Sequence, residues 1–280
     1  MHFNNLGHEL IGKEYYKQIE NIVSPKGKIL RNVYYTDNER IQKRTFHGIG
    51  DFIRGCIAIY NICAENNKIF QIDFSHHAIS KFLHSKSYIS LEETKNVKYI
   101  FPGDPECSNA GTEGFHTETN IFSNLEYTTI DDKVKQFIID NALTPRIAFL
   151  QDIESMMDRL GIQKNEYHVI HIRLEDRCIN DCLKFEDIYH KIQNEDLEHS
   201  IVISSCYELI KFLNMKNIKT SGLQGCHLGI PSSENLVKNT LLELFLIINA
   251  KSIKQVSDYN WGSGFSEIGS RIYNIPIIKI

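Results

Sequence analysis

The sequence predicts an α/β protein built on parallel sheets, and three observations predict it. Short β-branched runs alternate with amphipathic segments of helical spacing, regularly in the second half and more loosely in the first. No internal repeat or low-complexity tract interrupts this alternation. A length of 280 residues suits one large domain or two of ordinary size. Alternating strands and helices place helices over both faces of a parallel sheet. Two such domains are expected, residues 1–155 and 156–280, divided in the stretch from Gln151 to Lys164.

The elements follow in order. GKILRNVYY, from Gly27 to Tyr35, reads as a strand. The next segment carries Ile49, Phe52, Ile53, Cys56, Ile57, Tyr60 and Cys63 at helical spacing. KIFQIDF is a strand, SHHAISKFLH a short helix, and VKYIF another strand. Residues 102–120 are rich in turn formers and read as a loop. A helical stretch from about Ile130 breaks at Pro145 and runs on to MMDRLGI. YHVIHI, SIVISS, CHLGI, KSIKQV and PIIKI are the strands of the second half, and YELIKFLNM, SENLVKNTLLELFLIINA and FSEIGSRIYN its helices.

Composition narrows the partners. Net charge is −4, so no basic field invites nucleic acid or an acidic membrane surface. The longest apolar stretch, Leu241 to Ala250, carries Glu243 and falls short of the ~20 residues a bilayer span needs. The start, MHFNNLGHELIGKEYY, lacks the layout of a signal peptide, and a cytoplasmic protein is expected, in the host cytoplasm for a virus-encoded chain. Seven cysteines form no C-x-x-C pair and read as structural thiols.

Three segments carry candidate chemistry. Arg173 stands one residue past a strand, where ligands of open parallel sheets gather. Its guanidinium can grip a phosphate with two parallel hydrogen bonds, or else form a salt bridge between domains. In DYNWGSGFSEIG, Gly262 and Gly264 permit close backbone approach, Ser263 and Ser266 supply hydroxyls, and a helix begins near Phe265. A helix N-terminus is a natural anion site, although a plain capped helix fits the same letters. GIGDFIRG, from Gly48 to Gly55, opens a helix whose first turn carries Asp51 and Arg54, and Asp51 is also favourable there simply for the helix dipole. His76 and His77 lack a third ligand at metal spacing and read as surface residues. Asp131 and Asp132 read as helix capping, and Asp181, Glu186 and Asp187 as a solvated face.

The order of these pieces resembles the fucosyltransferase superfamily of GT-B enzymes, related to the nodulation, core α1,6- and protein O-fucosyltransferases. The G-x-G-x-x-x-R segment is Gly48-Ile49-Gly50-Asp51-Phe52-Ile53-Arg54. The H-x-R-x-x-D segment is His171-Ile172-Arg173-Leu174-Glu175-Asp176, and S-x-F-S is Ser263-Gly264-Phe265-Ser266. LLELFLIINAKSI is similar to the helix preceding that last motif, with Glu243 where Asp is usual. The resemblance implies two Rossmann-like α/β/α domains facing a central cleft, the first on the acceptor side and the second binding the nucleotide sugar.

By the same resemblance Arg173 holds the nucleotide diphosphate. Ser263, Gly264, Phe265 and Ser266 cradle it, His171 shapes the donor pocket, and Asp176 orients Arg173 or meets the nucleotide. Gly48, Gly50 and Arg54 are implied to join these in binding the donor, and Asp51 and Arg54 to face the cleft from the acceptor domain. Asp51 is the first choice for a base and His47 the second. The implied activity is metal-independent, inverting transfer of a fucose-like, other deoxy or pentose sugar to a glycan hydroxyl, with no cofactor. No D-x-D motif of the metal-using transferases is present. Leu174 stands where the family usually has a second arginine, which leaves the donor open between GDP-sugars and UDP-sugars such as UDP-xylose. A sugar-nucleotide or glycan-binding module without catalysis is the second reading. A hydrolase is disfavoured, because no G-x-S-x-G elbow occurs.

Overall fold

The computed structural model describes residues 29–36, 47–65, 67–94, 96–100, 118–123, 130–174, 181–260 and 262–280. The chain divides into two compact units, Met1–Thr144 and Pro145–Ile280. Each holds a four-stranded sheet whose strand pairs are all parallel.

In the first unit β1 (Ile29–Val33) leads to α1 (Ile49–Glu65) and β2 (Ile69–Asp73). A single 3₁₀ turn (Ala78–Lys81), α2 (Leu91–Thr94), β3 (Lys98–Ile100), β4 (Glu118–Ser123) and α3 (Asp132–Ala142) follow. The sheet order is β2-β1-β4-β3. Helix α1 is buried on most of its circumference, through Phe52, Ile53, Cys56, Ile57, Ile59, Ile62 and Cys63 among others. It packs on the sheet and on α3, where Phe137 meets Tyr60 at 4.8 Å and Phe70 at 5.6 Å between ring centroids. Asp131 caps α3 by accepting from the Val134 N–H at 2.8 Å, as its position in the sequence implies. In α2 a reciprocal box forms: the Ser90 N–H donates to Glu93 and the Glu93 N–H to Ser90 Oγ.

Two expectations for this unit change. Strand β4 begins inside the segment read as a loop to residue 120 and lies between β1 and β3. Its letters, ETNIFS, carry neither alternation nor a β-branched run, so the turn-rich stretch before it dominated the pattern. His77 is no surface residue. It is buried, stacks on Tyr34 at 4.2 Å, and caps the 3₁₀ turn by accepting from the Ile79 N–H at 3.1 Å. His76 is half-buried, with Nε2 2.6 Å from the Ile89 carbonyl.

The second unit runs α4 (Ile147–Leu160), β5 (His168–Arg173), α5 (Cys182–Ile192), β6 (Ser200–Ser204) and α6 (Tyr207–Met215). It continues with α7 (Glu234–Ile248), β7 (Ser252–Ser257), α8 (Gly264–Tyr273) and β8 (Ile277–Lys279), in sheet order β6-β5-β7-β8. The boundary expected at 155/156 falls inside α4. That helix belongs to the second unit, where Phe149 meets Phe245 of α7 edge-on at 5.6 Å.

Both faces of the second sheet are covered. Ile170, Ile172, Leu174 and Val256 point into a core with Phe185, Ile188 and Ile192 of α5 and Leu209 and Leu213 of α6. On the other face α8 presses so close that a Cβ at Gly269 would lie 2.7 Å from Ile247 and 3.0 Å from Ile253. Helix α5 was not expected. Its buried residues recur at helical spacing, but the acids around them suggested only a solvated face; Asp181 is in fact its N-cap. The strand expected at CHLGI is not formed. That segment is tied to α7 instead, the Cys226 N–H donating to Thr240 Oγ1 at 2.7 Å and Asn239 Nδ2 to the Gln224 carbonyl at 2.9 Å. Beside β6 the chain sets Thr220, in an isolated parallel bridge to Val202.

Candidate functional site

The carboxyl ends of β5, β6 and β7 carry polar residues, Arg173, Ser204 and Ser257. Parallel register sets Arg173 beside Ser257 and His171 beside Gln255, so these four share one face of the sheet. The next residue, Leu174, turns to the other face and is buried in the core with α5 and α6. A second arginine at that position would put an unpaired charge among aliphatic side chains, so only one cation extends from this strand.

Arg173 is half-exposed. Its Nη1 donates to Ser205 Oγ at 3.0 Å, and its guanidinium lies 5.6 Å from the centre of the Tyr259 ring. Its backbone carbonyl accepts from the Asp258 N–H. Asp258 itself pairs with Lys184 at 2.6 Å. Among the described residues, no carboxylate pairs with Arg173. An arginine held by a hydroxyl and an aromatic face keeps most of its donors for an anion.

The turn after β7 leads into α8. Ser263 occupies its N-cap position without a side-chain cap, and the first bond into the helix runs from the Glu267 N–H to the Ser263 carbonyl. The amides of Gly264, Phe265 and Ser266 therefore have no intrahelical acceptor and carry the positive end of the dipole. His171 ties β5 to this turn, its ring 5.7 Å from that of Phe265. His171 is buried with Nδ1 unpartnered, and burial, with Arg173 nearby, pushes its pKa down to about 3. The ring is neutral and cannot serve as a proton carrier near pH 7.

Ser266 departs from its expected role. Its hydroxyl is fully buried, accepting from Gln255 Nε2 at 2.5 Å and donating to the Ser263 carbonyl at 3.2 Å. It shapes the turn, and Ser266 as a whole is buried; Gly264 and Phe265 are the half-exposed residues at the start of the helix. Asp176 and Trp261 lie outside the described residues.

In the first unit the G-x-G-x-x-x-R segment opens α1. Gly48, Gly50 and Asp51 stay half-exposed at its start. Asp51 pairs with Arg54 Nη2, and its Oδ2 lies 3.7 Å from His47 Nδ1. Burial raises the Asp51 pKa, but the His47 hydrogen bond, the Arg54 charge and the Gly48 amide outweigh it and hold the carboxyl below its ordinary value. Arg54 Nε is buried without a partner. His47 is anchored by its backbone, whose carbonyl accepts from Tyr34 Oη at 3.1 Å, and Tyr34 is sandwiched between Phe52 and His77. Among the described residues no three His, Cys, Asp or Glu side chains converge as metal ligands, and no helix is long and apolar enough to cross a membrane.

Solved structures share this architecture. The selenomethionine form of fucosyltransferase NodZ from Bradyrhizobium superposes with a TM-score of 0.57 at 10% identity, over 91% of this chain and 95% of that one. NodZ α1,6-fucosyltransferase co-crystallised with GDP gives 0.55 at 10%, and the crystal soaked with GDP-fucose 0.54 at 9%, with the same coverage of both chains. The chain has the fucosyltransferase-like GT-B fold. At this identity the likeness concerns the fold alone. No protein-family model matches the sequence, and no curated protein does.

Within this fold Glu243 of α7 is a buried acid. Ser221 Oγ donates to its Oε1 at 2.7 Å, yet burial pushes its pKa up to about 8 from 4.5. The native state thus holds a proton that the unfolded chain has released, so stability falls as pH rises between about 4.5 and 8 and levels off above. The slope approaches about 1.4 kcal/mol per pH unit. Glu243→Gln keeps an acceptor for Ser221 and is expected to flatten the melting temperature over this window. Parallel curves for wild type and variant from pH 5 to 8 would show that Glu243 is ionised in the native protein.

Proposed function

We propose that the protein is an inverting glycosyltransferase, moving a sugar from a nucleoside-diphosphate donor to a glycan hydroxyl without a divalent metal. The observation that carries this reading is Arg173, fixed at a strand end by Ser205 and Tyr259, without a carboxylate among the described residues, on the sheet face of His171, whose ring meets Phe265 at the uncapped start of α8. The fold supports it, since NodZ of the same fold was co-crystallised with GDP and soaked with GDP-fucose.

In this chemistry the acceptor oxygen bonds to the anomeric carbon as the bond from that carbon to the diphosphate oxygen breaks. Negative charge grows on the leaving diphosphate. Arg173 and the α8 amides stabilise it, the work a metal does in other transferases. The acceptor proton passes to a base. Of the two candidates, His47 fits better, because Asp51 is engaged by Arg54 and its lowered pKa makes it a weak base. Asp51 then orients His47. A GDP-sugar of the fucose type is the first donor to try, and a UDP-sugar such as UDP-xylose the second.

Titration calorimetry with GDP, UDP and their sugars tests the reading. Micromolar binding of one nucleoside diphosphate, unchanged by EDTA, is the expected result. A folded protein that binds neither diphosphate would sink the proposal. Binding with no transfer or donor hydrolysis would leave a sugar-nucleotide-binding module.

A further inference from the structure

Gln255 belongs to no motif in the sequence, yet it is hydrogen-bonded to the start of α8. It is buried at 1% exposure in the middle of β7, beside His171 on β5. Its Nε2 donates to Ser266 Oγ at 2.5 Å and lies 3.5 Å from the Ser263 carbonyl. Its Oε1 is buried and accepts no hydrogen bond. That oxygen lies directly below Gly262, where an added Cβ would be 2.3 Å away and only 3.1 Å from Gln255 Cδ. Gly262 has φ +84°, a conformation that L side chains rarely adopt. The turn from Ser257 to Ser263 is closed by the Gly262 N–H on the Tyr259 carbonyl and by Ser257 Oγ on the Gly262 carbonyl. A side chain at position 262 would collide with the amide.

An orphaned buried oxygen is unfavourable, and a methionine of similar volume would avoid it. The amide contributes something that packing alone would not: it fixes Ser263 and Ser266, the residues that bracket the first turn of α8. We propose that Gln255 is a positioning residue for the diphosphate, holding the half-exposed amides of Gly264 and Phe265 at a set direction through Ser263 and Ser266, with Gly262 as the residue that admits it. This rests on the donor-site reading above.

The test measures GDP and UDP binding by calorimetry, with urea unfolding of each variant. Gln255→Met should fold and raise the diphosphate Kd by roughly tenfold, as expected for lost alignment of hydrogen bonds to a charged group. In transfer assays the donor KM should rise and kcat should fall as well, because the amides also meet the charge that grows on the leaving diphosphate, whereas a residue that only stabilises the fold would move the urea midpoint and not the Kd. Gly262→Ala should also weaken binding. Its penalty should shrink in a Gln255→Ala background, where the colliding oxygen is gone, and this coupling is the sharper check. Should Gln255→Met not fold, Ser266→Ala breaks the same bond from the other side and carries the same expectation. A folded Gln255→Met with wild-type Kd, or strictly additive penalties, overturns the proposal while the donor-site reading stands. Wild-type protein that binds neither diphosphate overturns both.

Discussion

Arg173→Lys is expected to raise the Kd for the nucleoside diphosphate by roughly 10–100-fold, the worth of one or two charge-assisted hydrogen bonds. Formal charge is unchanged, so the loss measures geometry. A guanidinium presents parallel donors to a phosphate, whereas an ammonium is a compact, strongly hydrated point charge. In the structure the guanidinium is already oriented, by Ser205 at 3.0 Å and by the Tyr259 ring at 5.6 Å, and neither contact transfers well to lysine. Stability should change little, because Arg173 is half-exposed and has no ion pair to lose among the described residues. Ser205→Ala, which frees the guanidinium without removing it, should give a smaller rise of about 2–5-fold, in keeping with one neutral hydrogen bond. Calorimetry with the diphosphate, alongside melting temperatures, reads all three. A lysine variant that melts normally and binds with wild-type Kd would remove Arg173 from the site and return it to a surface cation.

Much of the fold was legible because the second half states its periods plainly. β5, β6, α6, α7, β7 and α8 coincide with runs whose spacing leaves no rival. β4 and α5 were illegible for opposite reasons. The first has almost no apolar pattern and is a strand only because β1 and β3 flank it, and the second hid its buried stripe among Lys184, Glu186 and Asp187. At the site, Arg173 and the start of α8 could be read from a strand end and a glycine turn. Gln255 could not, since a polar residue inside a strand signals nothing until the register sets it beside His171 and beneath Gly262. Ser266 was misread for the same reason: the letters supply a hydroxyl, but only packing shows that it faces inward. Leu174 was read as a lost arginine, and alternation along β5 explains it as a core residue.

His47→Gln is expected to lower kcat by roughly 10²–10⁴-fold at saturating donor, the usual contribution of general acid–base catalysis, with donor Kd unchanged. The two properties separate because, in the proposed chemistry, the base meets only the acceptor proton while Arg173 and the start of α8 hold the diphosphate. The prediction turns on how Asp51 is used. With Arg54 on one oxygen and His47 Nδ1 3.7 Å from the other, its charge is committed, and its pKa lies below the ordinary carboxylate value. A weak base that carries negative charge suits the role of orienting an imidazole and stabilising it once protonated. Asp51→Asn should therefore cost less, on the order of tenfold in kcat, together with the small stability loss of a helix-start acid, about 0.3–1 kcal/mol. Both variants are assayed by transfer of labelled sugar at saturating donor, with melting temperatures recorded. If Asp51→Asn loses more turnover than His47→Gln, the carboxylate is the base and the imidazole its partner. If both turn over normally while Asp51→Asn merely melts lower, the start of α1 serves the helix alone, and the acceptor proton leaves without a dedicated base from this segment.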